Sequence, residues 1–355
     1  NTKEWLSRLY FYQTEVDNYL NGNTVDWFSE AFGSGLRQKY DVNISGGSDK
    51  MSYFWSVDYQ DNEGVITGDD YSAIRTRLNF DFTITDWLTA GINTHFTDRD
   101  ESAVPVDLST MYYMSPYGSM FNEDGSTKWY PNDYALANPF LNYYGQDKLK
   151  KVNSVFASAY TNIKLPYNIN YKISFQPNYT FASEYNFYPS SIPAGGQGGV
   201  ASRAESKNMS WIFDNLVSWK KQYGIHGFDV TLLFSAEKAQ RYLTSENNQK
   251  FIPNENLTFS GIHFGTVPTV SSDDTQTTAD ALMARLNYTL LNKYLITASV
   301  RRDGYSAFGV NNPRATFPAV ALAWKISEES FFKIPHVYQM KLRMSWGENG
   351  NRDIG

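Results

Sequence analysis

Between Ala281 and Lys325 apolar and polar side chains alternate in three runs, joined by a turn of three residues and then by a loop of more than ten, and each run fits an extended strand with one oily face and one wet face. Leu282, Ala284, Leu286, Tyr288 and Leu290 share one face, and Met283, Arg285, Asn287 and Thr289 share the other. After Leu291, Asn292 and Lys293 the phase resumes, with Tyr294, Ile296, Ala298 and Val300 against Leu295, Thr297, Ser299 and Arg301. Val320, Leu322 and Trp324 then oppose Ala319, Ala321, Ala323 and Lys325.

The same period recurs along the chain, most cleanly at Ile169, Tyr171, Ile173 and Phe175 against Asn170, Lys172, Ser174 and Gln176, and it predicts about twelve strands. The connections sort by length. Short or compact links are expected at 46–50, 84–86, near 166, at 221–226, 291–293 and 326–338, the last compact only if Ser327–Lys333 is a helical turn. Long ones are expected at 61–73, 98–152, 182–208, 240–280 and 303–315. In an up-and-down antiparallel sheet alternate links share a rim, so one rim is trimmed and the other bulky. That asymmetry marks outer-membrane barrels, whereas a soluble β-sandwich has no reason to sort its loops. The expected class is therefore all-β, an antiparallel transmembrane β-barrel. Register is strongly fixed, because a one-residue slip near Lys172 would turn that lysine to lipid and six apolar side chains to water.

Composition narrows the function. Aromatics make up 16% of 355 residues but charged residues only 19%, which suits strand better than helix. A net charge of -6 offers no basic field for nucleic acid. With no cysteine there are no disulfides and no thiolate chemistry. No apolar run is long enough for a transmembrane helix, and a β-strand span needs none. The N-terminus has no charged head followed by an apolar core, so either a signal has been removed or the sequence starts partway through a longer protein. The first strand runs from the long-loop rim to the trimmed one, so at least one strand is expected in front of it. Residues 1–35 read as an extracellular loop segment with a possible short helix near Lys3–Tyr12; residues 36–355 read as part of a barrel with its longest loops at 98–152, 182–208 and 240–280.

Four ordered blocks add a resemblance: TVDWFSEAFGSGLRQKYDVNISGGSDKMSYFWSVDYQDNEGVI, RTRLNFDFTITDWLTAGIN, ARLNYTLLNKYLITASVRRDGYSAFGVNNPRATFPAVALAWKISEE and LRMSWGENGNRDIG. From about Thr24 onward the chain resembles the barrel of SusC/RagA-type TonB-dependent transporters. The resemblance implies a bacterial outer-membrane barrel of about 22 strands, of which these are about twelve, with a plug and further strands outside this sequence. It also implies energy from the TonB complex through that plug, a SusD-like surface lipoprotein over the mouth, and import of oligosaccharides or peptides. A siderophore or cobalamin receptor of the same barrel type is the alternative within transport; a soluble glycan-binding β-protein is the alternative outside it.

On this reading Arg75, Arg77, Asp81, Lys172, Asp214, Asp229, Arg285 and Arg301 face the lumen or plug. Trp219, Tyr288, Tyr294 and Trp324 lie beside the short turns on the apolar face, where an interfacial girdle against outer-membrane lipid belongs. Tyr112, Tyr113, Tyr117, Trp129, Tyr130 and Tyr134 crowd the longest loop and are the candidate substrate contacts, since amphipathic rings stack on sugars while their polar tips hydrogen-bond; packing within the loop or against a lid is the competing use. His95, His226, His263 and His336 are too scattered for a metal site, Gly195–Gly199 lacks the strand-to-helix setting of a nucleotide loop, and Arg301–Gly304 reads as a strand end entering a turn. No catalytic residues, metal or cofactor are expected.

Overall fold

Each strand pairs only with its neighbours in sequence, so the chain forms one twelve-stranded antiparallel meander in the order β1 to β12. The computed structural model describes residues 2–351 except 135, 252, 253, 310 and 312. The strands are β1 (Arg37–Ser48), β2 (Met51–Glu63), β3 (Asp70–Thr85), β4 (Leu88–Asp100), β5 (Asp147–Leu165), β6 (Ile169–Tyr188), β7 (Val200–Tyr223), β8 (His226–Gln249), β9 (Thr269–Leu290), β10 (Tyr294–Tyr305), β11 (Arg314–Lys325) and β12 (Lys341–Gly347).

The register keeps the two phases of the sequence on separate faces through every pair. Leu286 lies opposite Ala298 and Val230, and Ala298 opposite Val320, on the apolar face. Asn287 lies opposite Thr297 and Asp229 on the polar one. The turns at the trimmed rim use left-handed backbone where the chain reverses most tightly: Leu291 and Asn292 have φ of 53° and 57°, and Gly224 has 54°. β4, the least regular strand in the sequence, takes the phase that places Leu88, Ala90, Ile92 and Phe96 beside the apolar residues of β3 and β5.

The bulky rim differs from the sequence expectation. The three loops placed at 98–152, 182–208 and 240–280 are shorter, because their flanks are strand: β5 begins at Asp147, β6 runs to Tyr188, β7 begins at Val200, β8 runs to Gln249 and β9 begins at Thr269. β7 and β8 are 24 residues each, whereas crossing the hydrocarbon takes about 9–11. On β8 the apolar face reads Phe228, Val230, Leu232, Phe234 and Ala236, then continues as Lys238, Gln240, Tyr242, Thr244 and Glu246, polar but for the one aromatic. Beyond that height both faces meet water. The ladder continues without hydrophobic alternation, and the period that revealed the strands fades.

Residues 1–35 are likewise not simple loop. They hold α1 (Thr2–Arg8), α2 (Gln13–Asn21) and α3 (Trp27–Ala31). α2 starts with the Glu15 carboxylate accepting from the Tyr12 N–H at 2.9 Å and ends at Gly22 in the left-handed region; α3 is capped by Asp26, which accepts from the Ser29 N–H at 3.1 Å. α3 joins the long connection after β4, which contains the short α4 (Leu141–Gly145), around a core of Trp27, Ala31, Val106, Met111, Met120 and Phe140, and α2 is tied to that connection by the Asn18 amide, which donates to the Tyr117 carbonyl at 2.8 Å. The β2–β3 loop ties this cap to the sheet: the Thr67 N–H donates to the Ala31 carbonyl, and the Val106 N–H to the Thr67 carbonyl.

The link from β11 to β12 is compact for a reason other than the expected helical turn. Only Ile326–Glu328 is a 3-10 turn, and Glu329 folds the link back onto β10 and β11.

Candidate functional site

The eight charged residues singled out on the polar phase all lie on the polar face, spread over its length. Arg75 is held by Asp58 at 2.9 Å, Gln60 at 3.1 Å and the Tyr71 hydroxyl at 3.0 Å. Arg77 lies between Ser56 and His95. Asp214 accepts from Ser235 at 2.5 Å, Asp229 pairs with Lys220 at 3.0 Å, and Arg301 is held by the Asp303 carboxylate at 2.7 Å and 3.0 Å. Arg285 stands opposite Thr231 and Ser299.

Two of the eight share a partner that sequence reasoning did not flag. Tyr160, on β5, donates its hydroxyl to Asp81 and carries the Lys172 ammonium 5.0 Å from its ring centre. Its signal was an aromatic on the polar phase opposite a glycine, Gly91. Following the pairs across the sheet, Asp81, Gly91, Tyr160, Ser174, Asp214, Ser235, Ala281 and Asp303 form one continuous row, so three carboxylates stand along a single line of the polar face. At its β10 end a cleft of about 340 Å³ opens among Glu237, Arg301, Asp303, Tyr305 and Phe317.

The six aromatic candidates lie in the cap but do not form one cluster. Tyr134 stacks on Tyr12 at 5.0 Å between ring centres, Tyr117 meets Tyr19 edge-on at 5.3 Å, and the Trp129 indole donates to the Ser191 carbonyl at 2.6 Å. Those three join the cap to its neighbours. Tyr130 is exposed. Tyr112 is 83% exposed despite an edge contact with Phe28, and Tyr113 is 72% exposed. Asp133 fastens the cap to α2, accepting from the Thr14 N–H at 3.0 Å and pairing with Lys128 at 2.7 Å. Burial pushes the Asp133 carboxyl up, but these donors outweigh it and hold it below the usual range.

At the trimmed rim Trp219, Tyr288, Tyr294 and Trp324 lie on the apolar face. The Trp219 indole donates to the Tyr167 carbonyl at 3.0 Å, Phe228 bridges Trp219 and Tyr288 with ring centres 6.3 Å and 5.2 Å away, and Tyr294 and Trp324 stack at 6.5 Å. Glu329 accepts from Tyr294 at 2.7 Å, Trp324 at 3.0 Å and Lys293 at 3.0 Å. The hydrogen bond from Tyr294 and then those from Trp324 and Lys293 hold its carboxyl down at about 2.

An antiparallel meander with an apolar band on one face, charged rows on the other, one trimmed rim and one built-up rim is the wall of an outer-membrane β-barrel. Residues 105–352 match the family described as TonB dependent receptor-like, beta-barrel, and the chain belongs to that family and to the outer membrane. It is 30% identical over 337 residues to TonB-dependent receptor P39 of Formosa agariphila, covering 90% of this chain and 31% of that protein. It is 26% identical over 376 residues to TonB-dependent receptor SusC of Bacteroides thetaiotaomicron, covering 95% of this chain and 36% of that protein. The chain thus spans about a third of the length of these curated relatives. A solved structure of the RagAB peptide transporter superposes with a TM-score of 0.82 at 19% identity, over 94% of this chain and 39% of that one, which shows the shared fold.

Proposed function

We propose that this chain is part of the barrel wall of a TonB-energised importer that carries an oligomeric nutrient, an oligosaccharide or a peptide, through the outer membrane beneath a SusD-like lipoprotein lid. The observation that carries the reading is the built-up rim: a folded cap with its own apolar core stands over a charged wall and presents Tyr112 and Tyr113 to solvent. Rings held out from a packed base suit a stacking ligand better than a small ion. The similarity to SusC and the fold shared with RagAB support an oligomeric cargo and a lipoprotein partner. The charged row from Asp81 to Asp303 would face the plug, water and passing substrate, and the rows beneath would position the plug through which TonB acts. In this role the barrel moves its cargo without changing it chemically.

The test is uptake by cells carrying the complete transporter, with oligosaccharides and peptides offered separately. Tyr112→Ala with Tyr113→Ala is expected to lower uptake of one class severalfold while the barrel stays heat-modifiable on a gel. Uptake that depends instead on a metal chelate would overturn the proposal in favour of a siderophore or cobalamin receptor. A native complete protein that stays soluble without detergent would overturn it in favour of a soluble glycan-binding protein.

A further inference from the structure

We propose that the open edge of β9 beyond the end of β10 is a strand-addition site for an extended peptide, an inference that rests on the importer reading and narrows its cargo. β9 stays paired with β8 as far as Thr269, opposite Asn247, but β10 leaves it early. The last β10 residue in register is Tyr305, opposite Ala279. Ser306 then closes the ladder, its N–H donating to the Thr278 carbonyl at 2.9 Å and its hydroxyl accepting from the Thr278 N–H at 2.9 Å. From Thr277 to Thr269, roughly 25 Å of strand, no backbone group on that side has a partner among the described residues.

The pleat sets what this edge offers. Thr278 aims its N–H and carbonyl at the β10 side, so Gln276, Asp274, Ser272 and Val270 aim theirs the same way, and the residues between them bond to β8. The stretch lies beyond Leu282, where the apolar band on β9 ends, so the row meets water. The opposite edge of the raised sheet is treated differently. Where β5 runs past β4, residues 101–103 strap it: the Glu101 N–H donates to the Lys150 carbonyl at 2.8 Å, the Lys150 N–H to the Ser102 hydroxyl at 2.9 Å, and the Lys148 ammonium to the Ala103 carbonyl at 2.9 Å. Along β9 from Thr269 to Thr277 the described residues provide no such strap, and the stretch holds none of the lysines, prolines or bulges that blunt an edge.

Charge selects among occupants. The open stretch carries Asp273 and Asp274 and no cation, and among the described residues neither acid has an ion-pair partner. A second copy pairing antiparallel over the full stretch would set these acids against each other, which is destabilising. A segment with basic side chains is attracted to them.

Strand addition takes its affinity from main-chain hydrogen bonds and its specificity from pockets for alternate side chains. The foot of the edge supplies the pockets. A cleft of about 240 Å³ among Thr277, Ala279 and Tyr305 shares Ala279 and Tyr305 with the cleft of about 340 Å³ at Arg301 and Asp303, and these residues all lie on the polar face. A strand laid on β9 in line with β10 turns every second side chain to that face, and its end residue lies beside Tyr305. A glycan carries no row of N–H and carbonyl groups at strand spacing, so this edge reads peptide.

The test uses the complete transporter, purified in detergent for binding and in cells for uptake, with the fluorescein-labelled peptide KTVKTVKTV as probe. A copy N-methylated at every residue, the acidic peptide ETVETVETV and cellohexaose form the other arms. The basic peptide is expected to bind, and the methylated copy and the acidic peptide to bind at least about tenfold more weakly. Gln276→Pro removes an edge N–H and leaves the β8 ladder whole, so it should weaken the basic peptide about tenfold; Thr244→Ala on β8 should bind it as the native protein does. D273N/D274N should narrow the preference for the basic peptide over the acidic one. Equal binding of the peptide and its methylated copy, or equal binding by the native and Gln276→Pro proteins, would overturn the site, and the methylation arm holds even if the variant fails to assemble. Uptake of cellohexaose with no binding of either peptide would overturn it while the importer reading stands. Uptake that requires a metal chelate would overturn the importer reading and the site with it. If Gln276→Pro loses a co-purifying lipoprotein or a self-associated form and the native protein binds no peptide, the edge belongs to that occupant and the peptide site is overturned.

Discussion

Tyr160 passes over the backbone of Gly91 to donate its hydroxyl to Asp81, joining β5 to β3 across the intervening strand. The glycine is what permits the crossing: a side-chain carbon there would lie 2.6 Å from both the Asp81 carboxylate and the Tyr160 ring. An inward tyrosine thereby covers a bare stretch of strand and fixes an acid on the polar face.

Gly91→Val should therefore break the crossing and cost about 1–3 kcal/mol through overpacking. Tyr160→Phe, which keeps the ring but loses the donor, should cost about 1 kcal/mol. Urea unfolding of the detergent-solubilised barrel reads both. A Gly91→Val midpoint equal to that of the native protein would show that the crossing carries no strain-sensitive packing.

Much of this fold was legible from Ala281 to Lys325. Strict alternation fixes which face each residue takes, and the register repeats it pair by pair. What stayed hidden follows from the same physics. Thr269 to Asp280 and Gln240 to Gln249 form ladders in water on both sides, so neither phase needs to be apolar. The helices of residues 1–35 are short, and the core under α3 is completed by Val106, Met111, Met120 and Phe140 from far along the chain. The Asp81–Tyr160 contact depends on Gly91 lying between them, which becomes visible only once register is known. The exposed Tyr112 and Tyr113 were indistinguishable in sequence from Tyr117 and Tyr134, whose partners Tyr19 and Tyr12 are more than ninety residues away.

The two faces of β10 predict opposite tolerance at adjacent positions. Ala298 lies in the middle of the apolar run from Tyr294 to Val300, and Thr297 faces Asn287, whose amide oxygen accepts from its hydroxyl at 2.8 Å. Ala298→Arg should cost about 2–4 kcal/mol by setting a charge in hydrocarbon, and Thr297→Arg at most about 1 kcal/mol. The fraction of heat-modifiable barrel in isolated outer membranes measures the difference. Equal losses would mean that the faces have been assigned wrongly.

Trp27 anchors the cap beside Phe140 and Met111. Trp27 is 3% exposed, its indole donates to the Ser115 carbonyl at 2.8 Å, and its ring lies 6.5 Å from that of Phe140. Trp27→Ala should remove about 3–5 kcal/mol from the cap alone. Protease cleavage between residues 101 and 146 should then speed up while the barrel remains heat-modifiable. Unchanged cleavage would show that the cap is held by its other contacts.

Glu329 makes the trimmed rim sensitive to acid. Its carboxyl, ordinarily near 4.5, is held at about 2 in the folded protein by Tyr294, Trp324 and Lys293. A carboxyl with a depressed folded value stabilises the fold fully above its unfolded value, and that contribution is lost as pH falls through the folded one. The clasp should therefore hold at pH 6, weaken progressively below about 4.5 and be gone near 2. Glu329→Gln keeps the shape but cannot titrate, so it should be less stable than the native protein at pH 6, with the gap closing as pH falls. Urea midpoints at pH 6, 4 and 3 test this, with Tyr294 and Trp324 fluorescence following the rim itself. A gap that stays constant over that range would mean that Glu329 is held by packing and not by its charge.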